Sequence, residues 1–93
     1  MTNRKERRAE RKQGKLNPDA FLKVADEFIE VANRKNQTVL ATDLSMAFLF
    51  AASRYSAHVA KNVLEVETHE DFVQDAVKSF TEMLRQNLAD PEL

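Results

Sequence analysis

Ninety-three residues without a cysteine or a tryptophan make at most one small domain, and exclude disulfides, thiolate metal sites and a cysteine nucleophile. A chain of this size buries only roughly 60% of its unfolded surface, so its stability must come from helix packing, self-association or a partner. The formal net charge of −1 hides a divided chain. Residues 1–16 hold 7 Lys/Arg against 2 Asp/Glu, a net of +5, and the other 77 hold 7 against 13, a net of −6.

The basic segment comes first. Arg4, Lys5, Arg7, Arg8, Arg11 and Lys12 stand close enough together to neutralise several phosphates and release their counterions. Only Ala9 is apolar within that run, so a helix there has no face to bury. The ordinary reading of a block of like charge is a disordered solubilising tail, 1–16. Nucleic-acid or ribosome contact is the alternative. No aromatic interleaves the arginines, which leaves stacking readout without support. The segment runs into Gln13, Gly14, Asn17 and Pro18 rather than an apolar stretch with a cleavage site, so a cytoplasmic location is expected.

From Asn17 a single helical domain, 17–93, is expected. Asn17 followed by Pro18 is an N-cap and first-turn pair, because Asn accepts a free N–H and Pro has none to orphan. Phe21, Ala25, Phe28 and Ala32 then repeat at helical spacing, widened by Leu22, Val24, Ile29 and Val31. Lys23, Asp26, Glu27, Glu30 and Arg34 fill the opposite arc, which gives an amphipathic helix over about 18–34.

A connection follows, with Thr42 or Asp43 expected to cap a second helix over about 43–64. Between Leu44 and Ala60, 12 of 17 residues are apolar, and at 100° per residue they do not share a face. Leu44, Phe48, Tyr55 and Val59 form one stripe; Met46, Leu49, Phe50 and Leu64 form another. Ala47 and Ala51 share a third side with Arg54 and His58. The richest apolar run, Leu44 to Ala60, is interrupted by Arg54 and His58 and too short to span a bilayer, so no membrane role is expected.

Thr68-His69-Glu70-Asp71 fits a capping box for a third helix over about 69–89. It carries Phe72, Val73, Ala76, Val77, Phe80, Met83, Leu84 and Leu88 on one side, with Asp90-Pro91 to end it. The fold class is therefore all-α, an antiparallel three-helix unit behind a basic tail. Two amphipathic neighbours cannot cover every apolar stripe of the middle helix. The remainder predicts a homodimer through Met46, Ala47, Leu49, Phe50, Ala51, Arg54 and His58, the alternative being that the connections 35–41 and 65–67 fold over it.

Chemistry-bearing constellations are few. Glu65, Glu67, Glu70, Asp71 and Asp75 beside His69 lack calcium-loop, HExxH and di-iron spacing, and complement the positive end of a helix dipole instead. Arg54, Tyr55 and His58 lie within about one turn but form no base–nucleophile set. Arg54 and His58 read better as groups at a bundle edge or dimer seam that meet carboxylates such as Asp26, Glu27 or Glu30. No enzyme activity, cofactor or metal is expected.

Two stretches resemble a known family. Asp26-Glu27-Phe28-Ile29-Glu30-Val31-Ala32-Asn33 is similar to its D-x-F-I-x-x-A-N helix, and Ala52-Ser53-Arg54-Tyr55 to the A-x-R-[FY] ending of its middle helix. Phe80 to Leu88 matches the closing helix in character. The family is one of small, all-helical proteobacterial proteins catalogued as a domain of unknown function. The resemblance covers about Phe21 to Asp90 and leaves the basic tail outside. It implies the helical fold and brings no activity. The expected role is a noncatalytic, dimeric interaction module for an unknown protein partner, with nucleic-acid binding through the tail as the alternative.

Overall fold

The computed structural model describes residues 16–93. Among them are three α-helices and no strand: α1, Pro18–Lys35; α2, Ala41–His58; and α3, His69–Leu88. A five-residue π-helical turn, Val59–Val63, continues α2. The all-α expectation therefore stands; α1 and α3 begin and end within one residue of the bounds read from periodicity, whereas α2 runs from Ala41 to His58 rather than over about 43–64.

The start of α1 follows from its cap. Asn17 is extended, with φ −74° and ψ 168°, and its Oδ1 accepts the Ala20 N–H at 2.8 Å. Pro18 occupies the first helical position, where its missing N–H costs nothing. Asp19 sits in the first turn and Arg34 and Lys35 in the last, each matched to the helix dipole. The helix closes where the Asn36 N–H reaches back to the Ala32 carbonyl at 2.8 Å.

The second helix begins earlier than Thr42 or Asp43, and neither residue caps it. The Asn36 side-chain amide donates to the Val39 carbonyl at 2.9 Å, which folds the short connection back on itself. The Leu40 carbonyl then accepts the Leu44 N–H at 3.0 Å, so the helix opens at Ala41. Asp43 lands in the first turn, where its charge suits the dipole without capping.

After the π turn, the Leu64 N–H donates to the Val59 carbonyl at 2.9 Å, and the Val66 N–H donates to the Ala60 carbonyl at 3.0 Å. Glu65, between them, takes the left-handed conformation at φ 52°. Helix termini commonly close this way with glycine, and here the chain uses a residue that carries a Cβ. Thr68 is the N-cap of α3, but its side chain makes no cap bond; its carbonyl accepts the Phe72 N–H at 3.4 Å. The capping box read from Thr68 to Asp71 is thus not formed. Glu70 instead accepts from the Gln74 amide at 2.8 Å, one turn along.

The chain divides into two compact units, one ending at Arg54 and one running from Tyr55 to Leu93. In the first, Ala20, Ala25, Ala32 and Leu44 are half-buried. In the second, Ala60 is buried, and Ser56, Val59, Val66, Phe72 and Thr81 are half-buried. Every other described residue is exposed. No helix among the described residues is long and apolar enough to cross a membrane.

Candidate functional site

Within the first unit, α1 and α2 face one another across a hollow of about 310 Å³. Ile29, Ala32 and Asn36 line one wall, and Ala41, Leu44 and Phe48 the other. That arrangement fixes which side of α2 its neighbour in this unit attends to. At 100° per residue, Met46 and Phe50 stand about 140–180° round the helix from the Leu44–Phe48 line, and Leu49 about 120° from it. Met46 is 64% exposed, Leu49 45% and Phe50 66%. Ala47, Ala51 and Arg54 are exposed on the adjoining arc.

Six of the seven expected interface residues thus lie together on one unit, as two neighbouring strips of α2. The large apolar strip is Met46, Leu49 and Phe50; the narrow one is Ala47 and Ala51, ending at Arg54. Small residues beside large ones let a second helix approach closely while the large side chains fill the gaps. Among the described residues Arg54 forms no ion pair with Asp26, Glu27 or Glu30. Its exposed guanidinium stays in water, where an ion pair contributes little.

His58 belongs to the second unit and is engaged locally. The Asn62 side-chain amide lies 3.2 Å from His58 Nδ1 and donates to it when that nitrogen carries no proton. The Tyr55 ring stands 6.0 Å from the His58 ring, centroid to centroid, tilted by 43°. Asn62 stands four residues after His58, the spacing at which side chains on one helix face meet, and that spacing was the signal that could have found it.

A second hollow, of about 160 Å³, lies beside that turn, between Ala57, Ala60 and Lys61 on one side and His69, Phe72 and Val73 on the other. Its walls are hydrocarbon. Lys61 and His69 are the residues of its lining that carry polar side chains. Among the described residues no three His, Asp or Glu side chains converge as a metal site requires. Arg4, Lys5, Arg7, Arg8, Arg11 and Lys12 lie outside the described residues.

A family model described as a protein of unknown function, DUF3144, matches residues 21–91. No curated protein and no solved structure matches the chain.

Proposed function

The chain belongs to the DUF3144 family, and because that membership carries no activity, we propose from its own surfaces that it is a noncatalytic helical interaction module that pairs with a second copy of itself. One observation carries the reading. Of the large apolar side chains among the described residues, only Leu44, Val59, Val66 and Phe72 are even half-buried, and all the rest are exposed. A lone chain in that state leaves most of its hydrophobic free energy unused, at about 25 cal/mol per Å² of apolar surface. Conformational entropy of about 1–2 kcal/mol per ordered residue then goes unopposed. Association supplies the missing burial.

The Met46–Leu49–Phe50 strip is the proposed seam. It is apolar, it lies opposite the side of α2 that meets α1 within its own unit, and Ala47 and Ala51 beside it permit close approach. A second copy suits it because a two-fold interface sets the same strip against itself, which asks for no charge complementarity. Once paired, the dimer presents its charged arcs outward as a surface for a further protein partner. Light scattering coupled to size exclusion tests the first step. The full-length chain is expected near twice 10.7 kDa at high micromolar concentration, and Phe50→Asp near the single mass. A wild-type chain that elutes as a monomer would refute the dimer.

The charge split supports a second reading. Seven Lys/Arg within residues 1–16 supply a cationic segment suited to a polyanion. Retention on RNA or DNA is then expected to weaken steeply with added salt and to vanish when residues 1–16 are removed. Equal retention by both forms would eliminate the tail as the contact.

A further inference from the structure

The chain has no cysteine and three methionines, Met1, Met46 and Met83. Two-electron oxidation at sulfur is therefore confined to thioethers. Met46 is 64% exposed, with Leu49 and Phe50 one turn along the same side of α2. Met83 stands on α3 in the other unit, 48% exposed.

We propose that Met46 is an oxidation site which sets whether two copies associate, an inference that rests on the dimer reading above. The step is a direct oxygen transfer. The sulfur lone pair attacks one oxygen of hydrogen peroxide, the O–O bond breaks, and the other oxygen leaves with both protons as water. Sulfur is oxidised to the sulfoxide and the peroxide is reduced. A thiol-dependent sulfoxide reductase reverses it, returning the oxygen as water and leaving its thiols as a disulfide.

The consequence follows from burial. A thioether packs as hydrocarbon, whereas a sulfoxide carries a strong acceptor that needs a donor once it leaves water. The Met46–Leu49–Phe50 strip offers none. A two-fold interface holds Met46 twice, so each oxidised dimer has two such oxygens to desolvate. The dissociation constant is expected to rise roughly a hundredfold. Pairing in turn covers the sulfur, so oxidation proceeds through the free chain, and its rate falls as protein concentration rises.

The test treats the full-length protein with hydrogen peroxide. Peptide mass spectrometry follows each methionine, light scattering the mass in solution, and circular dichroism the helix content. The dimer mass is expected to fall in step with Met46 sulfoxide while helix content holds. Met46→Leu is expected to stay dimeric through the same treatment, and Met46→Gln to be monomeric without any. An untreated wild-type chain that is already monomeric removes the dimer reading and this inference with it. A dimer that persists with Met46 fully oxidised, or a Met46→Leu protein that dissociates on treatment, overturns the Met46 assignment and leaves the dimer reading intact.

Discussion

The Asn17 side chain and the Thr68 side chain occupy the same formal position, one residue before a helix, and only the first acts as a cap. Asn17 Oδ1 takes the Ala20 N–H at 2.8 Å, whereas Thr68 bonds none of the free N–H groups of α3. Asn17→Ala is expected to cost about 1 kcal/mol and Thr68→Ala about 0.3 kcal/mol or less. Urea midpoints of the two variants measure the difference; equal losses would mean that the Thr68 hydroxyl caps in solution. Asn17 was legible because Asn-Pro restricts both its own backbone and the next. Thr68 through Asp71 matched the letters of a capping box, but the pattern does not encode the φ of −113° and ψ of 104° that decide where the hydroxyl points. Glu65 is a residue no pattern could have marked. It takes φ 52°, a conformation that sequence signals with glycine or asparagine, and neither is present. Glu65→Val puts a β-branched side chain in that region and is expected to lose about 1–2 kcal/mol. Thermal unfolding reads it, and a Glu65→Val protein as stable as wild type would mean that the turn readily takes another form.

The length and polarity of α1 and α3 were readable from single apolar stripes, since a helix with one buried side repeats at 3.6 residues. The central helix was readable as a helix but not in its two ends. Its start depends on the Asn36 side chain reaching the Val39 carbonyl, a local contact that brings Ala41 into the helix before any capping residue. Its finish depends on the π turn, whose one extra residue per turn leaves composition unchanged. The unusual start has a measurable consequence. Leu40 precedes α2 with 70% of its surface exposed and has no side-chain acceptor for the first N–H groups. Leu40→Asp supplies that acceptor and places negative charge at the positive end of the dipole. A gain of about 1 kcal/mol is expected from chemical denaturation, with Leu40→Ala near neutral as the control. A loss in the Asp variant would show that Leu40 is buried by association, which locates one edge of an interface.

At the scale of the whole molecule, the excess of apolar surface was legible, because 12 apolar residues in 17 cannot all face two neighbours. Of the residues expected at that surface, Met46, Leu49 and Phe50 share one strip, Ala47, Ala51 and Arg54 lie beside it, and His58 is drawn instead toward Asn62 and Tyr55. If that strip is covered only by a second copy, folding and association are one equilibrium, and stability must depend on protein concentration. The size of the dependence can be set in advance. A hundredfold rise in concentration stabilises a dimer by RT ln 100, about 2.7 kcal per mole of dimer and half that per chain. For a domain of this size each kcal/mol moves the midpoint by about 4–8 °C, so the melting temperature should climb roughly 5–11 °C between about 1 µM and about 100 µM. Phe50→Asp removes an apolar anchor from the strip in both copies and should flatten that dependence while lowering the midpoint. Calorimetry or dichroism across the concentration range decides it. A wild-type midpoint that does not move means that each chain is stable alone, and the exposed strip on α2 then needs an occupant other than a second copy.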